Sequence, residues 1–306
     1  MDNIEEIASK HLGKAGDGSV VKPYVTPDNV DKTLLVPIPR HLNRTQYEID
    51  DKNLPFVGFD VWNAYEVSAL MDNGYPVSGM LKISYAADSE SIVESKSLKL
   101  YLNSYNMATM GKTVNECLTN IINQVSEDLK EALGVEVTVS VFVGEQDTVR
   151  PIRGDFFQLE DYVDVENIRF NQYNENPNTL ESYIATETSQ SFKSYSLRSN
   201  CRVTNQPDWG DVFIYMKSQT QVTPESLLQY IVSMRKENHF HEEICECIYK
   251  RLYDKFNPDE LFVACLYTRR GGIDINPVRA SSVEVMKSFA ANMNDPMLCL
   301  QKTLRQ

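Results

Sequence analysis

From Phe59 onward the chain alternates apolar and polar positions through FDVWNAYEVSAL and PVSGMLKISY. These runs flank MDNGY, where Asn73-Gly74 tolerates positive φ, so the pattern predicts a strand, a turn and a second strand. KSLKLYLNSYN then reads as a short helix. Thr113, followed three residues later by Glu116, opens a capping box, and Val114, Leu118, Ile121, Ile122, Val125, Leu129 and Leu133 recur at helical spacing until Gly134 stops them. VEVTVSVFV alternates valine with polar residues, the signature of a strand with one buried face.

The second half repeats this order. SYSLRSNCRVT and DVFIYMKSQ read as strands, Thr223-Pro224-Glu225 as the cap and first turn of a helix through LLQYIVSMRKENHF, and HEEICECIYKRLYDKF as a second helix. ELFVACLYTRR closes the unit as a strand. Each copy is about eighty residues, a domain-sized piece. Ahead of the first copy, LLVPIPRHLNRTQYEID reads as extended and loop-rich, its prolines breaking any helix. Between the copies, residues 144–190 are acidic and rich in Asn and Asp, a connector with some strand content. The expected division is a leader over 1–53, a first unit over 54–145, a connector over 146–190 and a second unit over 191–306.

Composition narrows the class. The 306 residues are 42% hydrophobic and 24% charged, as in a folded globular protein with room for two cores. Acidic residues outnumber basic ones 43 to 30, for a formal charge of -13, so the mean field repels nucleic acid and anionic membrane surfaces. No apolar run is long enough to span a bilayer, and the start MDNIEEIASKHLGKAGDGS lacks the basic-then-apolar order of a signal peptide, so a cytoplasmic protein is expected. Six scattered cysteines fit free thiols in a reducing compartment.

Candidate chemistry concentrates in a few segments. An isolated strand cysteine is more often a packing residue than a nucleophile, but Cys201 has Arg198, Asn200, Arg202, Thr204 and Asn205 around it, a polar, locally positive setting that favours thiolate. Cys265, in LFVACLY, has the apolar flanks of an inert thiol. Asp208 sits on the NQPDWG turn; with the first strand ending near Thr204, that turn brings the acid back beside Cys201, although a plain turn aspartate reads equally well.

HFHEE with Cys245 and Cys247 invites a metal reading, but Cys-x-Cys on a helix points its thiols to different faces, and no metal is expected. Glu242 and Glu243 alone read as a solvated helix start; the functional alternative has His241 and Glu242 gripping the hydrogen-bonding edge of a heterocycle. ESKSLKLY sets Glu94, Ser95, Lys96 and Lys99 at a strand-to-helix junction, and RRGGIDINPVR reads as a strand-ending loop whose arginines and glycines allow a phosphate to approach. Neither a Rossmann nor a P-loop pattern occurs.

In their order from about Leu54 to Arg279, FDVWNAYEVSAL, ESKSLKLYLNSYN, NCRVTNQPDWG, FHEEICECI and RRGGIDINPVR make the chain resemble the NADPH-dependent 7-cyano-7-deazaguanine reductases in their long form. ESK-x-x-K-x-Y separates these from the related GTP cyclohydrolases. The resemblance implies an α+β fold of two tandem tunnelling-fold units, each an antiparallel sheet with two helices on one face. It implies NADPH-dependent reduction of a nitrile to an aminomethyl group on the route to queuosine, a tRNA modification. Cys201 would be the nucleophile that forms a thioimide and Asp208 the proton donor. Val93, Glu94, Ser95, His241 and Glu242 would bind the deazapurine, and Ser95, Lys96, Arg270 and Gly271 the cofactor. A homodimer is implied, with a small-molecule substrate and no direct contact with nucleic acid or membrane. The rival readings are a zinc-dependent cyclohydrolase acting on GTP or a pterin, and a purine-binding scaffold without chemistry.

Overall fold

The computed structural model describes residues 25–185 and 189–306. The leader's first 24 residues, and with them the stretch read against a signal peptide, lie outside that range.

The chain folds as α+β around a nine-stranded sheet. The first half supplies β1 (Val57–Met71), β2 (Pro76–Ala86) and β3 (Val137–Phe142); the second supplies β4 (Ser189–Asn200), β5 (Pro207–Lys217), β6 (Glu260–Tyr267) and β7 (Ile273–Ala280). Their order is β3-β2-β1-β7-β6-β5-β4, all antiparallel, with Phe157–Gln158 paired parallel to β4 and Thr109–Gly111 parallel to β1. The β1–β2 hairpin turns at Gly74, whose φ of 82° only glycine adopts freely.

Helices α1 (Ser95–Asn103) and α2 (Val114–Leu133) pack in the first half, and α3 (Pro224–Ser233) and α4 (His241–Phe256) in the second. Thr113 caps α2 by accepting from the Glu116 N–H, and Gly134 ends it with a φ of 71°. Leu98, Ile121, Val125 and Leu129 close one core over Trp62, Ala64, Leu81 and Ile83. Leu227, Ile231, Ile244 and Ile248 close another over Val212, Ile214, Val263 and Cys265. Strand alternation puts Phe262, Ala264, Val278 and Ala280 on the opposite face, covered by α5 (Val283–Asn294). Among the described residues, no helix is long and apolar enough to cross a membrane.

Four local expectations change. RRGGIDINPVR is not simply a loop: Ile273–Ala280 is the strand that joins the halves, pairing with β1 from Ile273↔Ala64 to Ala280↔Val57. Every residue of β7 is buried, so it lacks the half-exposed alternation by which strands are recognised. The helix begun at Pro224 ends at Ser233, because the chain departs to bond with the end of β4: Asn200 N–H donates to Glu237 O (2.8 Å) and His239 N–H to Asn200 O (3.1 Å). The proline-rich leader holds a short helix at His41–Arg44, directly after Pro39 rather than through it. Finally, β4 ends at Asn200, four residues earlier than expected.

Candidate active site

All ten residues singled out from the sequence line one cavity between the halves: Val93, Glu94, Ser95, Lys96, Cys201, Asp208, His241, Glu242, Arg270 and Gly271. Lys99, Thr204, Phe240, Trp62, Ile273 and Ile275 line it as well.

Cys201 is the first residue beyond β4. Its N–H donates to Gln206 O (2.8 Å) and its carbonyl accepts from Asn205 N–H (3.0 Å), closing a loop in which Asn205 takes a φ of 55°. Across the hairpin, Asp208 pairs in register with Ser199, while Asn200 faces Pro207. The loop thus presents a partly exposed thiol and a buried carboxylate to the same space.

Asp208 is held from two sides, by Arg270 Nη1 (2.5 Å) and by His241 Nε2 (3.3 Å). Burial alone would raise its pKa, but the imidazole and guanidinium hold it below the ordinary carboxylate value. Arg270 also donates to Gln206 Oε1 (2.9 Å) and Thr204 Oγ1 (3.2 Å), tying the β6–β7 turn to the Cys201 loop. Burial works against its charge, and the Asp208 carboxylate and Cys201 sulfur beside it restore and raise its pKa. The His241 ring stacks on Tyr267 at 3.9 Å and 7°.

On the opposite wall, Glu94 is the N-cap of α1, accepting from Ser97 N–H (2.7 Å) and Lys96 N–H (3.0 Å). Burial raises its pKa and these donors only partly offset the rise. A carboxylate has about four acceptor positions, so capping leaves capacity for a ligand. Beside it, Lys96 and Lys99 bring positive charge to the mouth of the cavity with Arg270.

The HFHEE segment divides. His239 is fully engaged, Nε2 with Tyr47 Oη (2.8 Å) and Glu237, Nδ1 with Arg202 (3.0 Å) and Glu243 (3.3 Å). Glu243 caps α4 by accepting from Phe240 N–H (2.9 Å). Glu242 is 2% exposed, its Oε1 without a partner among the described residues, so the expected solvated helix start is instead buried. Burial, then the nearby Asp60 charge, raises its pKa. Cys245 packs toward the carbonyls of Val263 and Pro277 and Cys247 toward Tyr230, so the two thiols diverge from each other.

Sequence reasoning missed the support behind this wall. Arg40 and Arg44 reach in from the leader, Arg40 to Asp60 (2.6 Å) and Arg44 to Glu246 (2.8 Å), and Arg279 of β7 binds both Asp60 and Glu246 at 2.8 Å. Arginines in a loop segment carry no pattern that reveals burial. Trp62, two residues from Asp60 on the same strand face, was missed as well.

Comparison with known proteins gives matches to two family models. A family model described as nitrile reductase, 7-cyano-7-deazaguanine-reductase N-term matches residues 26–141, and one described as QueF-like protein matches 207–285. The NADPH-dependent 7-cyano-7-deazaguanine reductase of Colwellia psychrerythraea is 36% identical over 291 residues, covering 92% of this chain and 95% of the relative. A crystal structure of an archaeosine synthase QueF-Like in the apo form aligns over 32% of this chain and 99% of its own, at 18% identity and a TM-score of 0.30.

Proposed function

Because this chain belongs to the 7-cyano-7-deazaguanine reductase family, we propose that its cavity binds the deazapurine nitrile and reduces it to the aminomethyl product with NADPH. The observation that carries this reading is the convergence of a partly exposed Cys201, an ionised Asp208 and an unpartnered buried Glu242 in one space.

Glu94 and Glu242 accept from the donors on the base's Watson–Crick edge, and Val93, Ser95 and His241 complete its seat. Bases lacking those donors are rejected, because a buried acceptor is then left unpaired. Cys201 attacks the nitrile carbon: the S–C bond forms, one π bond of the nitrile opens, and the thiol proton ends on nitrogen, giving a thioimide. The resting state of Asp208 suits a relay in this step. Ionised between His241 and Arg270, it takes the thiol proton and returns it to the nitrile nitrogen, rather than holding a proton in reserve.

The donors at the mouth fit a phosphorylated cofactor. Arg270 and Lys96 bring fixed charge, and Gly271, at φ 59°, lets the backbone come close, where a Cβ would meet the Lys99 side chain at 3.1 Å. NADPH held there would supply hydride, two for each nitrile. Ser95, Lys96, Arg270 and Gly271 position it.

The chain functions in this reading as two units, 54–145 and 191–306, with a leader over 1–53 and a connector over 146–190. The continuous sheet and the two-sided cavity support a site that neither unit forms alone. We assign it to the cytoplasm, as a homodimer acting on a small molecule, without nucleic acid; β3 is left as an edge strand available for pairing.

The test is to mix the protein with the nitrile base, with and without NADPH. Without cofactor, intact mass should show one adduct per chain, absent in Cys201→Ala; with it, two NADPH should be oxidised per base. An undiminished adduct in Cys201→Ala, or no NADPH oxidation by the parent, overturns the assignment.

A further inference from the structure

The cavity holds a polar group that this reading leaves unused. Trp62 lies on β1, between Ile83 of β2 and Ile275 of β7, and its side chain lines the cavity although the residue is only 1% exposed. Its ring is stacked near that of Tyr85 (centroids 6.5 Å apart, 29°). Its Nε1–H has no partner among the described residues. Indole is a donor only, and a donor kept dry and unpaired is costly unless something arrives to accept from it. The same cavity is lined by Glu242, whose Oε1 has no partner among the described residues.

The geometry points to Trp62 as a specificity-determining residue that donates its indole N–H to the carbonyl oxygen of the base. This rests on the proposed reading of the site. Glu94 and Glu242 can only accept while ionised, so they answer the ring N–H and the exocyclic amine. The carbonyl flanking that ring N–H is the acceptor left on the same edge, and it needs a donor from the wall. Ile273 and Ile275 beside Trp62 offer none, and His241, whose Nδ1 is also without a partner among the described residues, has its ring fixed on the Asp208 side by Tyr267. A base carrying an amine in place of the carbonyl would set donor against donor and be refused.

The inference can be tested in the Cys201→Ala protein, where binding stays reversible. The chain has two tryptophans, Trp62 and Trp209, so two indole N–H signals are expected in a nitrogen–proton spectrum, and Trp209→Phe assigns them. Saturation with the nitrile base should move the Trp62 signal downfield and slow its exchange with solvent. Trp62→Phe, which keeps an aromatic ring on the wall, should weaken base binding about tenfold. In the otherwise unaltered protein, Trp62→Phe should raise KM while leaving kcat within about twofold. It should also erase most of the parent's preference for the oxo over the amino base. An unmoved Trp62 signal at saturation, as a permanently bridged water would give, overturns the inference alone, as does an undiminished oxo preference in a folded Trp62→Phe. Failure of the unsubstituted protein to bind the base overturns it together with the proposed function.

Discussion

Glu242 and Glu246 stand one turn apart on α4, both at 2% exposure, and their fates are opposite. Glu246 is surrounded by Arg44, Arg279 and Arg40, and despite the burial that would raise it, these cations bring its pKa down to about 2. Among the described residues Glu242 has no such guanidinium contact, and burial with the Asp60 charge drives its pKa upward. Equal burial therefore says nothing about role. The closed cluster has answered every charge internally and can only hold; the open one keeps an acceptor in reserve and can therefore bind.

The largest effect expected from breaking this contrast lies in the open cluster. Asp208→Asn should lower kcat about 10³- to 10⁴-fold while leaving the dissociation constant of the base within a few-fold. Near-normal turnover would remove Asp208 from the chemistry and leave it as a partner of Arg270.

Next comes the closed cluster. Glu246→Gln should cost ~3–4 kcal/mol at neutral pH in denaturant unfolding, because three buried arginines lose the carboxylate they share and keep, among the described residues, only those of Asp60 and Asp51. The depressed folded pKa means the parent's advantage is complete above the unfolded value of 4.5 and disappears as pH falls toward about 2. A pH-independent difference between parent and variant would show that packing, not charge, is what Glu246 supplies.

The smallest effect has the opposite sign. Since the folded pKa of Glu242 is raised, its ionisation costs stability as pH climbs above 4.5. Glu242→Gln should therefore gain stability over the parent at pH 8 and nothing at pH 4, while binding the base about tenfold more weakly. Loss of stability at pH 8 would place Glu242 in the closed class and erase the distinction.

Periodicity revealed most of the fold because most elements bury one face. α2 was bounded correctly at both ends by Thr113 and Gly134, where a hydroxyl cap and a left-handed glycine act locally. β7 escaped because it is covered on both sides, with Asp274, Asn276 and Arg279 among its buried residues, and its apolar–polar alternation runs only from Ile273 to Asn276 before Pro277 interrupts it. In the site, the ten expected residues lie at or beside element ends, where polar residues such as Glu94, Asp208 and Arg270 stand out against the apolar runs. Trp62 and the arginines of the leader lie where nothing local marks them: their partners are far along the chain, Arg44 meeting Glu246 across 202 positions.

The Asp60–Arg279 pair has one more effect. It crosses the junction where β1 meets β7, and because side chains alternate along a strand, sliding β7 by a single residue would turn Arg279 into the oily layer beneath α5 and leave Asp60 with Arg40 as its one remaining cation among the described residues. The pair thus works as an indexing pin: it admits one alignment of the two strands and so fixes how far Trp62 stands from Ile275 before any ligand arrives.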